Sequence, residues 1–468
     1  MSNKKVFLIY PPSPVMNREE RCQQPTDDLI VIPPLPPTDL LYLAAIARRA
    51  GFEPRVKDYS FYGETLENFK QDIENIRPKY VVANIATPTL ESDLEVLKKA
   101  KEILGDEVIT VAKGAHFNFL AHQVMQDHDF IDIIFCGECE LTFEELLNGK
   151  SLNEIKGLCF RQEFEIIQTP KRPFNDNLDD LPFPARDLID NSCYIRPDNG
   201  KKQAVIKVSR GCPYHCFFCL ATPLNGAVVR KRSPENILCE IKECVEKYDI
   251  RNFIFWSDIF NLDKEWTREL CKKIIDSGLK ITFSTNTRAD SADIETIKLM
   301  KKAGCRLVSI GIESGSQFML DKMGKKITLN QVRNTVKTFK KFNMQIYAYY
   351  VIGLPWETRE TIKETLEFAK SLNTEYVSFY TAAALVGTRF YNYVEQNNLG
   401  ELNYQKPYYY PSVRTHYLGS DEVFELHKKL VRSYYLRPAY VIKMLFSIRS
   451  FTQLKNYIIA GLRVLWRP

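Results

Sequence analysis

Short apolar runs alternate with amphipathic stretches over the first 150 residues of the chain. The stretch 38–51 has apolar residues at helical spacing and ends on a glycine, the residue type that often follows a helix. The stretch 90–105 has the same spacing. This alternation predicts an α/β fold with a doubly wound, Rossmann-like parallel sheet. Its strands are predicted, from runs rich in Val and Ile, at 5–12, 53–60, 80–87, 108–114 and 132–138.

A second strand–helix series begins near residue 203. One of its helices is predicted at 233–248, where Ser233 is a suitable N-cap and Pro234 suits the first helical position. Six successive strand–helix units predict a partial (β/α)6 barrel of the TIM type, whose site lies at the carboxyl ends of the strands. The strands are predicted at 204–209, 252–258, 280–286, 306–314, 346–355 and 376–382.

These patterns divide the chain into four parts. A chain of 468 residues is too long for one compact core. Residues 175–190 mix prolines, turn residues and acids, as an extended link does. The division is an α/β domain at 1–148, a connector at 149–200, a barrel at 201–396 and a basic helical C-terminal region at 397–468.

Composition limits the class of protein. Hydrophobic residues make up 45% and charged residues 26%, as in folded soluble proteins, and the net charge of +6 is too mild to indicate nucleic acid. No run approaches the roughly 20 apolar residues of a spanning helix, and the N-terminal run reads as a strand rather than a signal peptide. Twelve cysteines without a secretory signal predict a cytoplasmic protein with free thiols.

Three of these cysteines crowd together in the segment "VSRGCPYHCFFCL". Cys212, Cys216 and Cys219 follow the first predicted barrel strand with the spacing C-x3-C-x2-C. Thiolates ligate both zinc and iron–sulfur clusters, but structural zinc requires four ligands, and His215 is awkwardly placed beside Cys216. Three cysteines on a four-iron cluster leave one iron open. The spacing therefore favours such a cluster over zinc.

This segment, followed by "GIES" and "GLPWE", resembles the radical S-adenosylmethionine (radical SAM) superfamily over about residues 203 to 395. The resemblance implies that the open iron of a [4Fe-4S] cluster binds the amino and carboxylate groups of SAM. One-electron reduction then cleaves SAM to methionine and a 5′-deoxyadenosyl radical. The residues that the resemblance places near the cluster, SAM or substrate are Phe218, Asp258, Asn286, Arg288, Glu313 and Gly353.

The N-terminal part resembles the cobalamin-binding domain of B12-dependent radical SAM enzymes. The similar segments are "PPLPPTDLLYLAA" (33–45), "KGAHF" (113–117) and the "CGECE" loop (136–140). Ala115 and Cys139 depart from the usual residues, and without a D-x-H-x-x-G motif no histidine is expected to ligate cobalt from below. The residues expected near cobalamin are Gly114, His116, Gly137 and Glu138.

Other cysteines have simpler interpretations. Cys136 and Cys139 form a C-x2-C without a second pair, which disfavours a metal site. Cys239, Cys244 and Cys271 lie on predicted helical faces and are expected to be buried.

The C-terminal segment 426–468 contains nine Lys or Arg residues and no acid, interleaved with apolar residues. A helical cap on the open end of the barrel, with its basic face in solvent, is the favoured interpretation. A basic amphipathic helix on an anionic membrane surface is the alternative. The aromatic stretch 404–411 either lines a pocket or packs in the core.

Together these features predict a cobalamin-dependent radical SAM enzyme that methylates or otherwise modifies an unactivated carbon. The expected substrate is a natural product or lipid-type small molecule, and the expected electron donor is a flavodoxin or ferredoxin. Three alternatives stay open: a radical SAM enzyme without cobalamin, an RNA methylthiolase, and a non-catalytic iron–sulfur carrier or sensor.

Overall fold

A computed structural model describes residues 3–14, 16–18, 24–25, 35–196, 199–400, 411, 413–448 and 451–466. The chain folds as two compact units, whose described residues divide between Asn191 and Ser192. The aromatic stretch 404–411 lies outside the described residues except for Pro411.

The first unit is built on a seven-stranded sheet. Along the sheet the strands are Glu53–Asp58, Lys5–Tyr10, Tyr80–Asn84, Ile109–Lys113, Ile133–Phe135, Leu158–Gln162 and Glu165–Gln168. The first five strands are parallel, as the sequence predicts. The strand Leu158–Gln162 is antiparallel to both of its neighbours, Ile133–Phe135 and Glu165–Gln168. The helices are Thr38–Arg49, Tyr59–Tyr62, Leu66–Ile76, Leu90–Leu104, Phe117–Asp127 and Glu140–Leu147, with 3-10 turns at Thr87–Thr89, Gly105–Glu107, Leu152–Glu154, Leu178–Asp180 and Arg186–Leu188.

The sheet of the first unit is covered on both faces. In the strand Lys5–Tyr10, Phe7 and Ile9 join one apolar cluster, while Val6 and Leu8 join another. The two clusters contain different helices, as alternation of side chains across a buried strand requires. The predicted doubly wound arrangement is therefore confirmed.

The prediction of a connector at 149–200 is wrong for residues 158–168. These residues form the antiparallel hairpin at the sheet edge, and Phe160 is fully buried in its core. The acids and prolines of 175–190 give only 3-10 turns, but these residues belong to the first unit, where Leu178 and Leu181 pack with Tyr42.

The second unit is built on six parallel strands that follow one another in chain order. They are Gln203–Lys207, Asn252–Trp256, Thr282–Arg288, Cys305–Glu313, Gln345–Ile352 and Tyr376–Thr381. The predicted six strand–helix units are thus confirmed. The helices are Ala221–Asn225, Pro234–Tyr248, Lys264–Asp276, Ile294–Lys302, Gln317–Lys322, Leu329–Lys341, Arg359–Leu372, Arg389–Asn397, Ser420–Tyr435, Pro438–Ser447 and Phe451–Trp466.

The N-cap that the sequence predicts for the helix Pro234–Tyr248 is present in the second unit. Ser233 caps the helix Pro234–Tyr248 by accepting a hydrogen bond from the Asn236 amide at 3.1 Å. A two-residue antiparallel pair, Ser209–Arg210 with Arg230–Lys231, closes the base of the cysteine-bearing loop.

Among the described residues, no helix has both the length and the apolar character needed to cross a bilayer.

Candidate active site

The cysteine loop leaves the carboxyl end of the first barrel strand and is held by hydrogen bonds. The Asp258 carboxylate accepts the Gly211 amide hydrogen at 2.9 Å, and the Cys212 amide donates to Gly226 O at 3.0 Å. The Thr222 hydroxyl lies 3.0 Å from Cys212 O and 2.7 Å from Tyr214 O. The loop backbone is therefore fixed next to its first cysteine.

The three thiols differ in exposure. Cys212 is buried, whereas Cys216 and Cys219 are half-buried. Cys219 Sγ accepts the Ala221 amide hydrogen at 3.4 Å, and amide donors to sulfur favour the thiolate that a cluster binds. In the described part of the chain, no three acidic, histidine or cysteine side chains converge as for a single metal ion. A four-iron cluster needs no such convergence, because each cysteine binds a different iron, so the donor set fits the cluster.

A second segment, residues 323–325, contacts the loop. The Phe217 amide donates to Met323 O at 2.9 Å, and Phe217 packs on Trp356 with ring centroids 4.9 Å apart. The expected aromatic residue, Phe218, is half-buried beside this cluster of rings. Phe217 and Phe218 thus both stabilise the loop, whereas the sequence indicated only Phe218.

Charged side chains meet beside this loop. Lys325 Nζ donates to Glu313 Oε1 at 2.7 Å, and both side chains are about nine-tenths buried. Burial alone would lower the pKa of Lys325, but the Glu313 carboxylate and the nearby Cys216 thiol raise it above its ordinary value. Lys325 is therefore a fixed positive charge next to the second cysteine.

Arg288 brings a second positive charge to the same place. Its guanidinium carbon lies 3.6 Å from the ring centroid of Tyr214, a residue of the cysteine loop. It also donates to Lys325 O at 3.0 Å and pairs with Asp290 at 3.0 Å. The predicted residues Arg288 and Glu313 are thus joined to the cysteine loop through Lys325 and Tyr214.

The other predicted residues of the second unit occupy strand ends. Asn286 donates to Ser257 O at 3.2 Å, which ties the third strand to the loop that carries Asp258. Gly353 follows the fifth strand and packs against Val423. Glu357, in the same "GLPWE" segment, is fully buried, and burial raises its pKa to about 7 although the Thr361 hydroxyl donates to it at 2.8 Å.

The first unit places Gly137 and Glu138 just after the strand Ile133–Phe135. Among the described residues, a Cβ added at Gly137 would lie 3.9 Å from Asn118 Oδ1 and would meet nothing nearer, so this part of the chain leaves space at its backbone for a ligand. Glu138 accepts the Asn175 amide hydrogen at 3.0 Å.

Gly114 and His116 follow the neighbouring strand. A Cβ on Gly114 would lie 2.1 Å from Ile85 O, so packing within the fold already requires glycine there. His116 is 3% exposed, and burial lowers its pKa to about 4, so its imidazole is neutral at pH 7. A neutral ring in that position fits a hydrogen-bonding role towards a cofactor.

A polar network at the same sheet edge was not expected from the sequence. Asp39 accepts hydrogen bonds from Lys113, at 2.6 Å, and from Tyr10 and Asn84. Tyr10, Asn84 and Lys113 are each the last residue of a buried strand, which is the signal that could have located the network. The edge that carries Gly114 is thus polar and partly charged, as a cofactor-binding edge is.

Cys136 and Cys139 are both buried, and burial raises the pKa of the Cys136 thiol to about 12. That this pair holds no metal stays a prediction.

Two family models match this chain. The Radical SAM superfamily matches residues 206–369, and the B12 binding domain matches residues 33–147. An uncharacterized methyltransferase of Pyrococcus horikoshii is 32% identical over 438 residues, which is 92% of this chain and 94% of the relative. The protein belongs to the radical SAM superfamily, among the members with a B12-binding domain. It is an enzyme of that class.

Solved structures show the same fold for this radical SAM enzyme. The radical enzyme OxsB, solved with aqua-cobalamin and S-adenosylmethionine, aligns with a TM-score of 0.76 at 16% identity, over 99% of this chain and 71% of its own. The radical SAM methyltransferase TsrM from Kitasatospora setae, solved with cobalamin and a [4Fe-4S] cluster, gives 0.69 at 18% identity, over 85% and 79%. The predicted family and fold class are confirmed.

Sequence reasoning missed three contributors to the radical SAM site. Lys325 follows a short helix rather than a strand, Tyr214 lies inside the loop, and Thr222 lies in the short helix Ala221–Asn225 after it; spacing gives no signal for any of them. The prediction for Cys239 is wrong, because its side chain is exposed; Cys244 and Cys271 are buried as expected. Its helix turns Cys239 outward, while Cys244 lies on the face that joins the core.

Proposed function

We propose that the protein is a cobalamin-dependent radical SAM methyltransferase that modifies an unactivated carbon of a natural product or lipid-type molecule. The observation that carries the proposal is the fixed cysteine loop with the Lys325–Glu313 pair and Arg288 beside it. The P. horikoshii relative, which carries the name methyltransferase and aligns along nearly its whole length, supports the reaction type.

The cofactors supply the difficult chemistry, and the protein holds and aligns them. When held by Cys212, Cys216 and Cys219, a reduced cluster would supply the electron for reductive cleavage of SAM, and cobalamin held by the first unit would supply the methyl group. A flavodoxin or ferredoxin would deliver the electrons.

The residues of the second unit have distinct roles in this proposal. Cys212, Cys216 and Cys219 would hold the cluster. The positive charges of Lys325 and Arg288 lie beside the loop and would attract the carboxylate of SAM. Glu313 keeps Lys325 charged and oriented.

The residues of the first unit would hold cobalamin. Gly137 offers an open backbone, and Glu138 and the neutral His116 offer hydrogen-bonding groups after neighbouring strands. Gly114 shapes the loop that carries His116 through its close packing on Ile85.

The proposal is tested by replacing one cluster ligand. Cys216→Ala should abolish both the visible absorbance of the reconstituted cluster and the formation of 5′-deoxyadenosine from SAM under strict anaerobiosis. Cys239→Ala, at an exposed cysteine outside the loop, is the matched control and should retain both. Retention of cluster and cleavage in Cys216→Ala would overturn the ligand assignment. A wild-type protein that binds a cluster but forms no 5′-deoxyadenosine would instead support an iron–sulfur carrier or sensor.

A further inference from the structure

The last two helices of the chain carry a concentration of exposed apolar side chains. Of the seventeen large hydrophobic side chains that are exposed in the described part of the chain, eight lie between residues 436 and 462. Scattered exposed hydrophobics are ordinary, but eight of them so close together along the chain indicate an interaction surface. The set is Leu436, Val441, Ile442, Leu445, Phe446, Ile458, Ile459 and Leu462, and we name it the C-terminal apolar face.

The spacing of these residues puts them on one side of each helix. In the helix Pro438–Ser447 the exposed positions are i, i+1, i+4 and i+5, ending on Phe446, which is 80% exposed. In the helix Phe451–Trp466 they are i, i+1 and i+4, beginning at Ile458. Each helix therefore presents an apolar stripe outward.

The opposite sides of the same helices are docked on the barrel. Tyr440 is buried and donates to Glu375 O at 2.8 Å, and Lys443 pairs with Glu375 at 2.9 Å. Val464 joins the main core of the second unit, and the hydroxyls of Tyr457 and Tyr376 lie 3.2 Å apart. The helices are thus held on the barrel with their apolar stripes facing outward.

The charge of this region is uniformly positive. Segment 426–468 has nine Lys or Arg residues and no Asp or Glu. Lys455 is exposed and precedes Ile458, Ile459 and Leu462 by three, four and seven residues, so it lies on the same helical side as they do. Apolar side chains beside basic residues, in a segment that contains no acid, are the signature of an interfacial helix.

We propose that the C-terminal apolar face docks on an anionic lipid bilayer, as a peripheral contact that does not span it. The apolar stripes would enter the acyl boundary, and the surrounding Lys and Arg residues would pair with lipid phosphates. A two-fold dimer through this face is disfavoured, because it would bring two identical sets of positive charges together. The inference does not depend on the proposed reaction.

Vesicle flotation of the full-length protein tests the proposal. Binding is expected to phosphatidylcholine vesicles that contain phosphatidylglycerol, and only weakly to pure phosphatidylcholine. Raising sodium chloride from ~0.1 M to ~1 M shortens the Debye length from about 10 Å to about 3 Å and should release the protein. Equal, salt-insensitive binding to both kinds of vesicle, or binding to neither, would overturn the proposal.

Point variants locate the contact. Phe446→Ser should weaken binding at least about tenfold, since a buried Phe side chain contributes ~1.5–3 kcal/mol. Lys455→Gln should weaken it about fivefold, the effect of one basic residue near an anionic surface. Phe164→Ser, at an exposed hairpin position of the first unit, is the matched control and should bind as wild type does.

Three results would contradict this assignment. Unchanged vesicle binding by Phe446→Ser would place the contact elsewhere. Equal losses of vesicle binding in Phe446→Ser and Phe164→Ser would also place the contact elsewhere. Absence of vesicle binding together with a dimer in solution that Phe446→Ser dissociates would assign the face to a second copy of the chain instead.

Discussion

Glu313 shows how a single residue joins the barrel to the cysteine loop. Its φ of 70° lies in the left-handed region, which a non-glycine residue adopts at a cost of about 1–2 kcal/mol. The hydrogen bond to Lys325 holds this conformation, and Arg288 continues the contact towards Tyr214. Strained residues of this kind concentrate at functional sites.

Replacing Lys325 tests how much this pair stabilises the second unit. Lys325→Met leaves the buried Glu313 carboxylate without its cation, so the free energy of unfolding should fall by about 3 kcal/mol. The double variant Glu313→Gln/Lys325→Met should recover part of that loss. All four tryptophans lie in the second unit, so urea unfolding followed by tryptophan fluorescence reports on it alone.

Lys326→Met is the matched control, since Lys326 is the exposed neighbour. If the Lys325 and Lys326 variants unfold at the same urea concentration, the ion pair does not stabilise the unit and its proposed orienting role loses support.

Glu357 gives the second unit a defined pH dependence. Burial raises its pKa from 4.5 to about 7, so the stability that its protonated form contributes is complete below pH 4.5 and is lost as the pH rises through 7. Glu357→Gln cannot ionise. The difference in unfolding free energy between this variant and wild type should therefore shift by about 2 kcal/mol in favour of the variant between pH 5 and pH 8. A difference that stays constant with pH, measured by the same fluorescence assay, would refute this assignment.

At the residue scale, the sequence located the cysteines because their spacing is local and chemically specific. It could not locate Lys325, because the contact with Glu313 depends on how the fourth strand and the turn after a short helix meet in space. Gly114 illustrates a different limit: the motif drew attention to this residue, but its close packing on the backbone of Ile85 depends on the fold.

The helix Ser420–Tyr435 closes the last edge of the six-stranded sheet. The amide of Val377 donates to the Tyr435 hydroxyl at 3.0 Å, and that hydroxyl donates in turn to Val377 O. His427 Nε2 lies 2.6 Å from Phe379 O on the same strand. Side chains of the helix thus satisfy backbone groups that an open edge would leave unpaired, which supports the predicted helical cap. The described part of the tail therefore has a docked cap followed by two helices with outward apolar stripes.

Tyr435→Phe tests this closure. Removing the hydroxyl leaves a buried amide and carbonyl of Val377 without their partner, which should cost about 2 kcal/mol of unfolding free energy in the second unit. Tyr417→Phe, at a residue that is 67% exposed, should have no effect. Equal unfolding midpoints for the two variants would show that the cap does not stabilise the edge.

At the element scale, strands with long apolar runs were predicted correctly, whereas the hairpin at 158–168 was not. The strand Glu165–Gln168 has exposed residues at both ends and only half-buried ones between, so its apolar signal is short. Its place is fixed by antiparallel pairing with Leu158–Gln162, an interaction between segments that local pattern does not report.

At the scale of the whole molecule, the chain has two sheets with separate apolar cores. The B12 binding domain model matches part of the first unit, and the Radical SAM superfamily model matches part of the second. The first unit has a polar edge after parallel strands, and the second has its cysteine loop after the first barrel strand. Strand–helix alternation was enough to predict both folds, because parallel sheets of this kind require it. The shape of the polar edge of the first unit depends on how its loops meet in space, which no sequence pattern specifies.

The central claim is that one chain holds a [4Fe-4S] cluster and cobalamin together. The most direct test is the visible spectrum of anaerobically purified, cluster-reconstituted protein after incubation with cobalamin and desalting. We expect stoichiometric corrin absorbance beside the iron–sulfur band. A cluster band with no retained corrin would contradict the account of the first unit, and retained corrin without a cluster band would contradict the assignment of the three cysteines.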